Sequence, residues 1–264
     1  MRVGYNQATS MKHSSLEDDV GLCKAYGFDG LEMQTILMDK YMFTHSLDDL
    51  HDLFKNSGIK ALPVNAFTDF NIQSGENRKR LQYLCGCAQA AGAEALILVP
   101  ALQNISLEQT VEAIGGYAAT AAEHGVRLAL EFLGFAESSV KSLEEAIFVA
   151  DQVPDLKLVL DCAHIMGGIT DLSSILKLRP ERIEAVHIND LRRKPPGGYS
   201  DSDRVWPGDG DMGLSEIFEN LKVIGYEGIV SVELFNEEYW EWPTEEIYRT
   251  AMGKAAAFFR GCGY

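Results

Sequence analysis

Four apolar runs in the second half of the chain each end in a residue that can bind a metal or carry a proton. They read Leu128-Ala129-Leu130-Glu131, Leu158-Val159-Leu160-Asp161, Ala185-Val186-His187 and Val230-Ser231-Val232-Glu233. A strand alternates its side chains between two faces, so Ala129 shares a face with Glu131, Ala185 with His187 and Ser231 with Glu233. Small residues behind the polar ones leave room for an ion. Three carboxylates gathered without a cation would repel one another and raise one another's pKa. A divalent metal removes that conflict. Three oxygen ligands and one imidazole suit Mn, Zn, Co or Mg, and the set does not choose among them. The pattern predicts one divalent metal ion held by Glu131, Asp161, His187 and Glu233.

Such a cup needs strands whose ends meet. Short runs rich in Val, Ile and Leu recur at Arg2–Tyr5, Gly30–Met33, Lys60–Ala66, Ala95–Pro100, Arg127–Phe132, Lys157–Asp161, Ala185–Ile188 and Ile229–Leu234. They mostly lack polar alternation, as strands do when both faces are buried in a parallel sheet. Helix start signals lie between them: Ser15 before Asp18, Ser46 before Asp49, Ser106 before Gln109, and Ser142 before Glu145. Each pair has the spacing at which a hydroxyl caps an early N–H and the later side chain reaches back. Gly27, Gly58, Gly92, Gly125 and Gly225 each stand just before the next strand, where a left-handed helix cap suits glycine. Eight strand–helix units of about 31 residues fill about 250, the size of a (β/α)8 barrel. The predicted fold is α/β, a (β/α)8 TIM barrel, with residues 1–264 as a single domain. A doubly wound open sheet is the rival, but no GxGxxG follows the first strand, where the chain reads Gly4-Tyr5-Asn6-Gln7-Ala8. One connection, Leu191 to Gly213, is long and irregular and carries Arg192-Arg193-Lys194-Pro195-Pro196-Gly197-Gly198. Loops of that length are usually functional or mobile.

Composition excludes several classes of partner. Asp and Glu number 39 against 23 Lys and Arg, a formal net charge of −16. That charge repels phosphate backbones and anionic lipid, so neither nucleic acid nor membrane is an expected partner. No apolar run approaches the roughly 20 residues of a membrane span. The N-terminus lacks the apolar region of a signal peptide, which makes the cytoplasm the expected location. The five cysteines (Cys23, Cys85, Cys87, Cys162 and Cys262) are scattered and odd in number, so neither a disulfide framework nor a zinc cage is expected. A homo-oligomer is left open.

The strand-end motifs carry a resemblance. Leu128–Phe132, Leu158-Val-Leu-Asp-Cys-Ala-His164, Val186-His-Ile-Asn-Asp190 and Val230-Ser-Val-Glu-Leu-Phe235 are similar to the sugar isomerase/epimerase superfamily with a xylose isomerase-like barrel. The likeness runs from Asn6-Gln-Ala-Thr9 through His45-Ser-Leu-Asp-Asp-Leu50 and Val64-Asn-Ala66 to Asp203-Arg-Val-Trp-Pro-Gly208. It therefore covers nearly the whole chain, and within the superfamily it is strongest to the inosose isomerases. The resemblance implies that Glu131, Asp161, His187 and Glu233 bind one divalent metal. It further implies that Glu131 and Glu233 shuttle a proton, and that His164 and Arg204 hold substrate oxygens. The substrate it implies is a small-molecule polyol ketone or ketose, isomerised through a cis-enediolate that a chelating metal stabilises. Inosose dehydratase and ketose 3-epimerase chemistry use the same cup. An endonuclease IV-like nuclease would need more well-placed histidines than His164 and His187. A non-catalytic polyol-binding subunit would have no need of all four ligands. The chain departs from the pattern at Asn189, where relatives carry Asp, and at Arg192-Arg193-Lys194, where they tend to be acidic.

His164 stands three residues after Asp161, within reach of a substrate hydroxyl. Arg204 offers a cation to substrate oxygens. Asn65 and Glu32 end the third and second strands and are expected to contact substrate or the metal ligands, Glu32 having a purely structural role as its alternative. Three ligand carboxylates and a dication leave one negative charge, which favours a neutral substrate over a phosphorylated one.

Overall fold

Strands with two buried faces can satisfy their backbone only by pairing on both edges, and here the pairing runs full circle. The computed structural model describes residues 1–72, 74–194 and 198–264. Its strands are β1 (Arg2–Asn6), β2 (Gly30–Glu32), β3 (Lys60–Ala61), β4 (Val64–Thr68), β5 (Ala95–Val99), β6 (Arg127–Glu131), β7 (Lys157–Asp161), β8 (Ile183–Ile188), β9 (Asp190–Leu191), β10 (Arg204–Val205) and β11 (Ile229–Val232). The large sheet runs in the order β3-β2-β1-β11-β8-β7-β6-β5-β4. Every pairing in it is parallel. This is the expected (β/α)8 barrel, with one correction. The run Lys60–Ala66 is two strands, not one. Pro63 has no N–H to give, so β3 stays on β2 while β4 turns to β5. A parallel bridge from Gln34 to Asn65 and the Asn65 N–H to the Met33 carbonyl (2.8 Å) close the ring.

Helices α1 (Leu16–Tyr26), α2 (Thr35–Met42), α3 (Leu47–Ser57), α4 (Gly75–Ala91), α5 (Leu107–Glu123), α6 (Leu143–Gln152), α7 (Cys162–Gly167), α8 (Leu214–Val223) and α9 (Thr244–Gly261) alternate with the strands. The predicted caps form. Ser46 with Asp49 and Ser106 with Gln109 are reciprocal boxes. Ser142 accepts from the Glu145 N–H, but the Glu145 carboxylate goes to the Lys141 N–H instead (2.8 Å). The five glycines before strands all have positive φ, between 67° and 79°. The main core joins outward strand residues such as Leu96, Leu98, Leu128 and Leu130 to helix residues such as Leu84, Ile114 and Val149. Phe67 and Phe70 lie in that core, as packing. The barrel interior is thinner: Ala66, Ile97, Ala129 and Val159 form one cluster, and Leu62, Ala185 and Ile229 another. All five cysteines are free, and Cys85 and Cys87 are buried in the main core. Among the described residues no helix is long and apolar enough to cross a membrane.

Leu62 fills the interior because two neighbours have no side chain. A Cβ on Gly4 would lie 2.4 Å from Leu62 Cδ1, and one on Gly30 2.7 Å from the Lys60 carbonyl oxygen. Gly30→Ala therefore forces backbone apart and is expected to cost about 1–3 kcal/mol. Gly86, inside α4, has open space where its Cβ would stand. Gly86→Ala is expected to gain roughly 0.5–1 kcal/mol from helix propensity. Urea midpoints of the two variants should move in opposite directions.

Asp19 on α1 accepts from Gln7 Nε2 (2.6 Å) and Tyr248 Oη (2.7 Å), tying the loop after β1 to α1 and α9. Burial pushes its carboxyl up to about 6. The folded state thus favours the protonated form. Its contribution is full below the unfolded value near 3.8 and is lost as pH rises through about 6. That shift corresponds to about 3 kcal/mol. The stability difference between Asp19→Asn and the parent chain should grow in the variant's favour from pH 4 to 7 and level off above it. A flat difference across that range would show that Asp19 is ionised throughout.

Candidate metal centre

The C-terminal ends of β6, β7, β8 and β11 bring Glu131, Asp161, His187 and Glu233 to one point. Register makes this possible: Asp161 lies beside His187 across the β7–β8 pair, and Ser231 beside His187 across β8–β11. Ala129, Ala185 and Ser231 sit beneath the polar residues and take little space. All four side chains are buried, Glu131 the least so at 4% exposure. One ligand atom from each lies within 4.8 Å of the others. His187 Nδ1 is the hub, 2.9 Å from Glu131 Oε1, 3.2 Å from Glu233 Oε2 and 3.9 Å from Asp161 Oδ2.

A ring of donors steers these carboxylates. Asp161 Oδ1 accepts from the His164 N–H (2.9 Å), capping α7. Its Oδ2 accepts from Asn189 Nδ2 (2.9 Å) and Arg204 Nη2 (3.3 Å). Asn6 and Asn65 each donate from Nδ2 to both Glu32 Oε1 and Glu233 Oε1, at 2.8–3.0 Å. Asn65 therefore has only Oδ1 left for another partner. Glu32 Oε1 also faces His187 Nε2 at 2.9 Å.

Beside the cup, Arg204 is 1% exposed, with Nη1 on Asp201 and Nη2 also 3.2 Å from His164 Nε2. A guanidinium only donates, so His164 Nε2 accepts, and His164 is neutral with its proton on Nδ1. Burial, the largest influence, likewise lowers the pKa of His164. Phe135 meets its ring edge-on at 5.1 Å. A cavity of about 140 Å³ opens there, lined by Phe135, Ala163, His164, Tyr199 and Asp201.

The profile of the family described as xylose isomerase-like TIM barrel matches residues 20–259. An inosose isomerase of Bacillus subtilis (strain 168) is 34% identical over 266 residues, covering 95% of this chain and 95% of its own. The chain belongs to the xylose isomerase-like TIM barrel family. A crystal structure of the IolI protein with a binding zinc atom, 30% identical, superposes with a TM-score of 0.93 over 98% of this chain and 99% of that one. A 3-dehydroshikimate dehydratase of Pseudomonas aeruginosa is 27% identical over 90% of this chain and 39% of its own length.

The donor set in this member of the family suits a divalent cation. With Glu32 the cup holds four buried carboxylates against one guanidinium, and among the described residues the other group there that can carry positive charge is His187 itself. Burial alone would hold His187 neutral, yet Glu233, Glu32 and Glu131 raise its pKa well above the ordinary value. The imidazole is thus drawn into the part of a counter-ion. Three carboxylates and a ring nitrogen converging in this way could hold a divalent cation.

Sequence reasoning placed the four ligand candidates, His164, Arg204 and Asn65 at this mouth. It missed Asn6, Asn189 as a donor to Asp161, and Asp201. Asn6 was readable, because it ends β1 as Glu131 ends β6. Pro195, Pro196 and Gly197 of the long connection lie outside the described residues. The rest of that connection is more regular than its composition suggests. β9 and β10 pair antiparallel, setting Arg204 against Leu191. Trp206 packs on Tyr239 (4.7 Å between ring centroids), and the Asp209 N–H closes a turn on the Trp206 carbonyl. The buried Asp190 carboxylate accepts from the Leu191, Gly208 and Gly210 N–H groups. Asp190→Ala would leave three backbone donors without that acceptor, an expected loss of about 1–3 kcal/mol. Limited proteolysis between residues 198 and 213 should accelerate at least several-fold, with the far-UV circular dichroism of the barrel unchanged.

Proposed function

We propose that the protein is an inosose isomerase that requires one divalent cation, the whole chain 1–264 acting as one barrel domain. The observation that carries this reading is the buried convergence of Glu131, Asp161, His187 and Glu233, in a chain similar over 95% of its length to an inosose isomerase. Those four residues would hold the cation. When bound, it supplies Lewis-acid stabilisation to negative charge on the substrate's carbonyl and neighbouring hydroxyl oxygens; zinc is the first choice and Mn, Co or Mg fit the same donors.

The chain's own residues do the rest. Glu131 and Glu233 enter from β6 and β11, with β7 and β8 between them on the wall. One takes the proton from the carbon beside the carbonyl and the other gives a proton to the former carbonyl carbon, while the hydroxyl proton passes from the first carbon's oxygen to the former carbonyl oxygen. Glu233 Oε1 is occupied by Asn6 and Asn65, so Oε2 is its working atom. His164 would offer Nδ1–H and Arg204 its guanidinium N–H groups to substrate oxygens, and Asn65 Oδ1 would accept from a substrate hydroxyl. The excess of negative charge favours a neutral polyol ketone. Lys194 is held by Asp203, which takes one cation of the Arg192-Arg193-Lys194 run out of reach of a phosphate.

Dehydration would begin with the same proton abstraction, and the relative from Pseudomonas aeruginosa is a dehydratase. Incubation with scyllo-inosose in deuterated water, with Zn, Mn, Co or Mg supplied in turn, separates the two. The expected outcome is conversion to an isomeric inosose with deuterium next to the carbonyl and no loss of water. A dehydrated product, or no reaction with any inosose, would overturn the assignment. Glu131→Gln and Glu233→Gln should each lower kcat by about 10²–10⁴ with the fold intact.

A further inference from the structure

Glu32 is not one of the four ligand candidates, yet it is wholly buried beside them. Its Oε1 faces three nitrogens: Asn6 Nδ2 (2.9 Å), Asn65 Nδ2 (2.8 Å) and His187 Nε2 (2.9 Å). His187 meets carboxylates on both sides of its ring. Among the described residues Nε2 faces the Glu32 carboxylate, while Nδ1 faces Glu131, Glu233 and Asp161. A neutral imidazole has one N–H and one lone pair. An N–H on Nδ1 would point at the cation site, and the lone pair of Nε2 would then face the Glu32 carboxylate. The opposite tautomer satisfies both sides at once: Nε2–H donates to Glu32, and the Nδ1 lone pair is free for a cation.

We propose that Glu32 is a positioning residue that fixes His187 as the Nε2–H tautomer and thereby makes Nδ1 the nitrogen presented to the metal. Glu32 works from behind the ring, because the two nitrogens of an imidazole point away from each other. It also fixes Glu233. The amides of Asn6 and Asn65 each give one hydrogen to Glu32 Oε1 and one to Glu233 Oε1, so four hydrogen bonds lock the two carboxylates together. Rotation of Glu233 about that lock is restricted, and its Oε2 stays on the His187 Nδ1 side. A carboxylate holding the far nitrogen of a ligand histidine raises its basicity, and loss of such a partner typically weakens metal binding 10–100-fold. This inference rests on the metal-site reading above.

The test uses the full chain, stripped by chelation and titrated with Zn²⁺ alone against a competing chelator. Glu32→Gln keeps the size and an acceptor oxygen but removes the charge. It is expected to bind Zn²⁺ 10–100-fold more weakly than the parent chain, with unchanged far-UV circular dichroism. Binding within twofold of the parent would overturn the proposal. A second measurement needs no variant of Glu32. In the ¹⁵N-labelled, Zn-loaded parent chain, long-range ¹H–¹⁵N spectra, with the His187 signals identified by their loss in His187→Gln, should show Nε2 protonated and Nδ1 without a proton. Protonated Nδ1 would overturn the proposal even if Glu32→Gln fails to fold. If the parent chain takes up no Zn²⁺, the metal-site reading fails instead.

Discussion

Glu32, Glu131, Asp161 and Glu233 place four carboxylates on a wall that water scarcely reaches. Two unit charges 4 Å apart repel by about 4 kcal/mol at an effective dielectric near 20. Such a cluster persists only if the surroundings counter that repulsion and keep the groups from swinging away. Donors do the first. The Asn6, Asn65 and Asn189 amides, the His164 N–H and Arg204 together reach three of the four carboxylates, and His187 stands between Glu32 and Glu131. Parallel strands do the second. Every carboxylate lies at a strand end whose backbone is paired on both edges, so each Cα is fixed by several pairings rather than by its own loop. The thin barrel interior, with alanine, serine and glycine where a filled barrel carries bulkier residues, is the other half of the same constraint. Bulk beneath the mouth would push the polar ends apart.

The carboxylates are not equivalent. Burial would raise the pKa of Asp161, but the Arg204 and His187 charges and the His164 backbone N–H outweigh it and hold it below the ordinary range. Burial pushes Glu233 up to about 8. Asp161 is gripped by three donors, and Glu233 has one oxygen gripped and one free. Glu131, among the described residues, is hydrogen-bonded only to His187 and is the most exposed of the four ligand candidates. One carboxylate is thus anchored in its ionised form, while two retain an oxygen that can change partners. Environments that push similar groups apart in this way are what acid–base chemistry requires of a site.

Legibility in the sequence followed locality. The alternation of Ala129 with Glu131, or Ala185 with His187, is a two-residue pattern, and it gave both the strand and the direction of the side chain. The Ser46–Asp49 and Ser106–Gln109 caps and the glycines before strands are likewise signals within four residues, and all formed. Pro63 was visible, yet its effect was not: breaking the third strand is possible only because β2 and β5 are there to take the two pieces. The donor ring was hardest to see. Asn6 reaches Glu233 across 227 residues, and Asn189 reaches Asp161 across 28. An amide at a strand end resembles any solvated loop residue until the fold puts a carboxylate against it. For the same reason Asn189 looked like a departure from the family motif, when in this chain it supplies a donor that an ionised aspartate could not.

Arg204 shows how a loop cation becomes part of such a site. Its composition context, after Arg192-Arg193-Lys194, suggests an exposed arginine on a long connection. The β9–β10 pair carries it inward, and the Asn236 amide holds its carbonyl (2.9 Å) while Phe235 lies 5.2 Å from the guanidinium. Burying a guanidinium is costly unless it is paired, and Asp161 and Asp201 supply the pairing. With both partners in place, the charge is compensated before any substrate arrives. In the proposed reaction Arg204 would therefore serve as a set of oriented N–H donors rather than as an anion clamp. On the proposed reading, such a site would distinguish substrates by the placement of hydroxyl and carbonyl oxygens, and a phosphate group would bring more negative charge to a wall already rich in carboxylates.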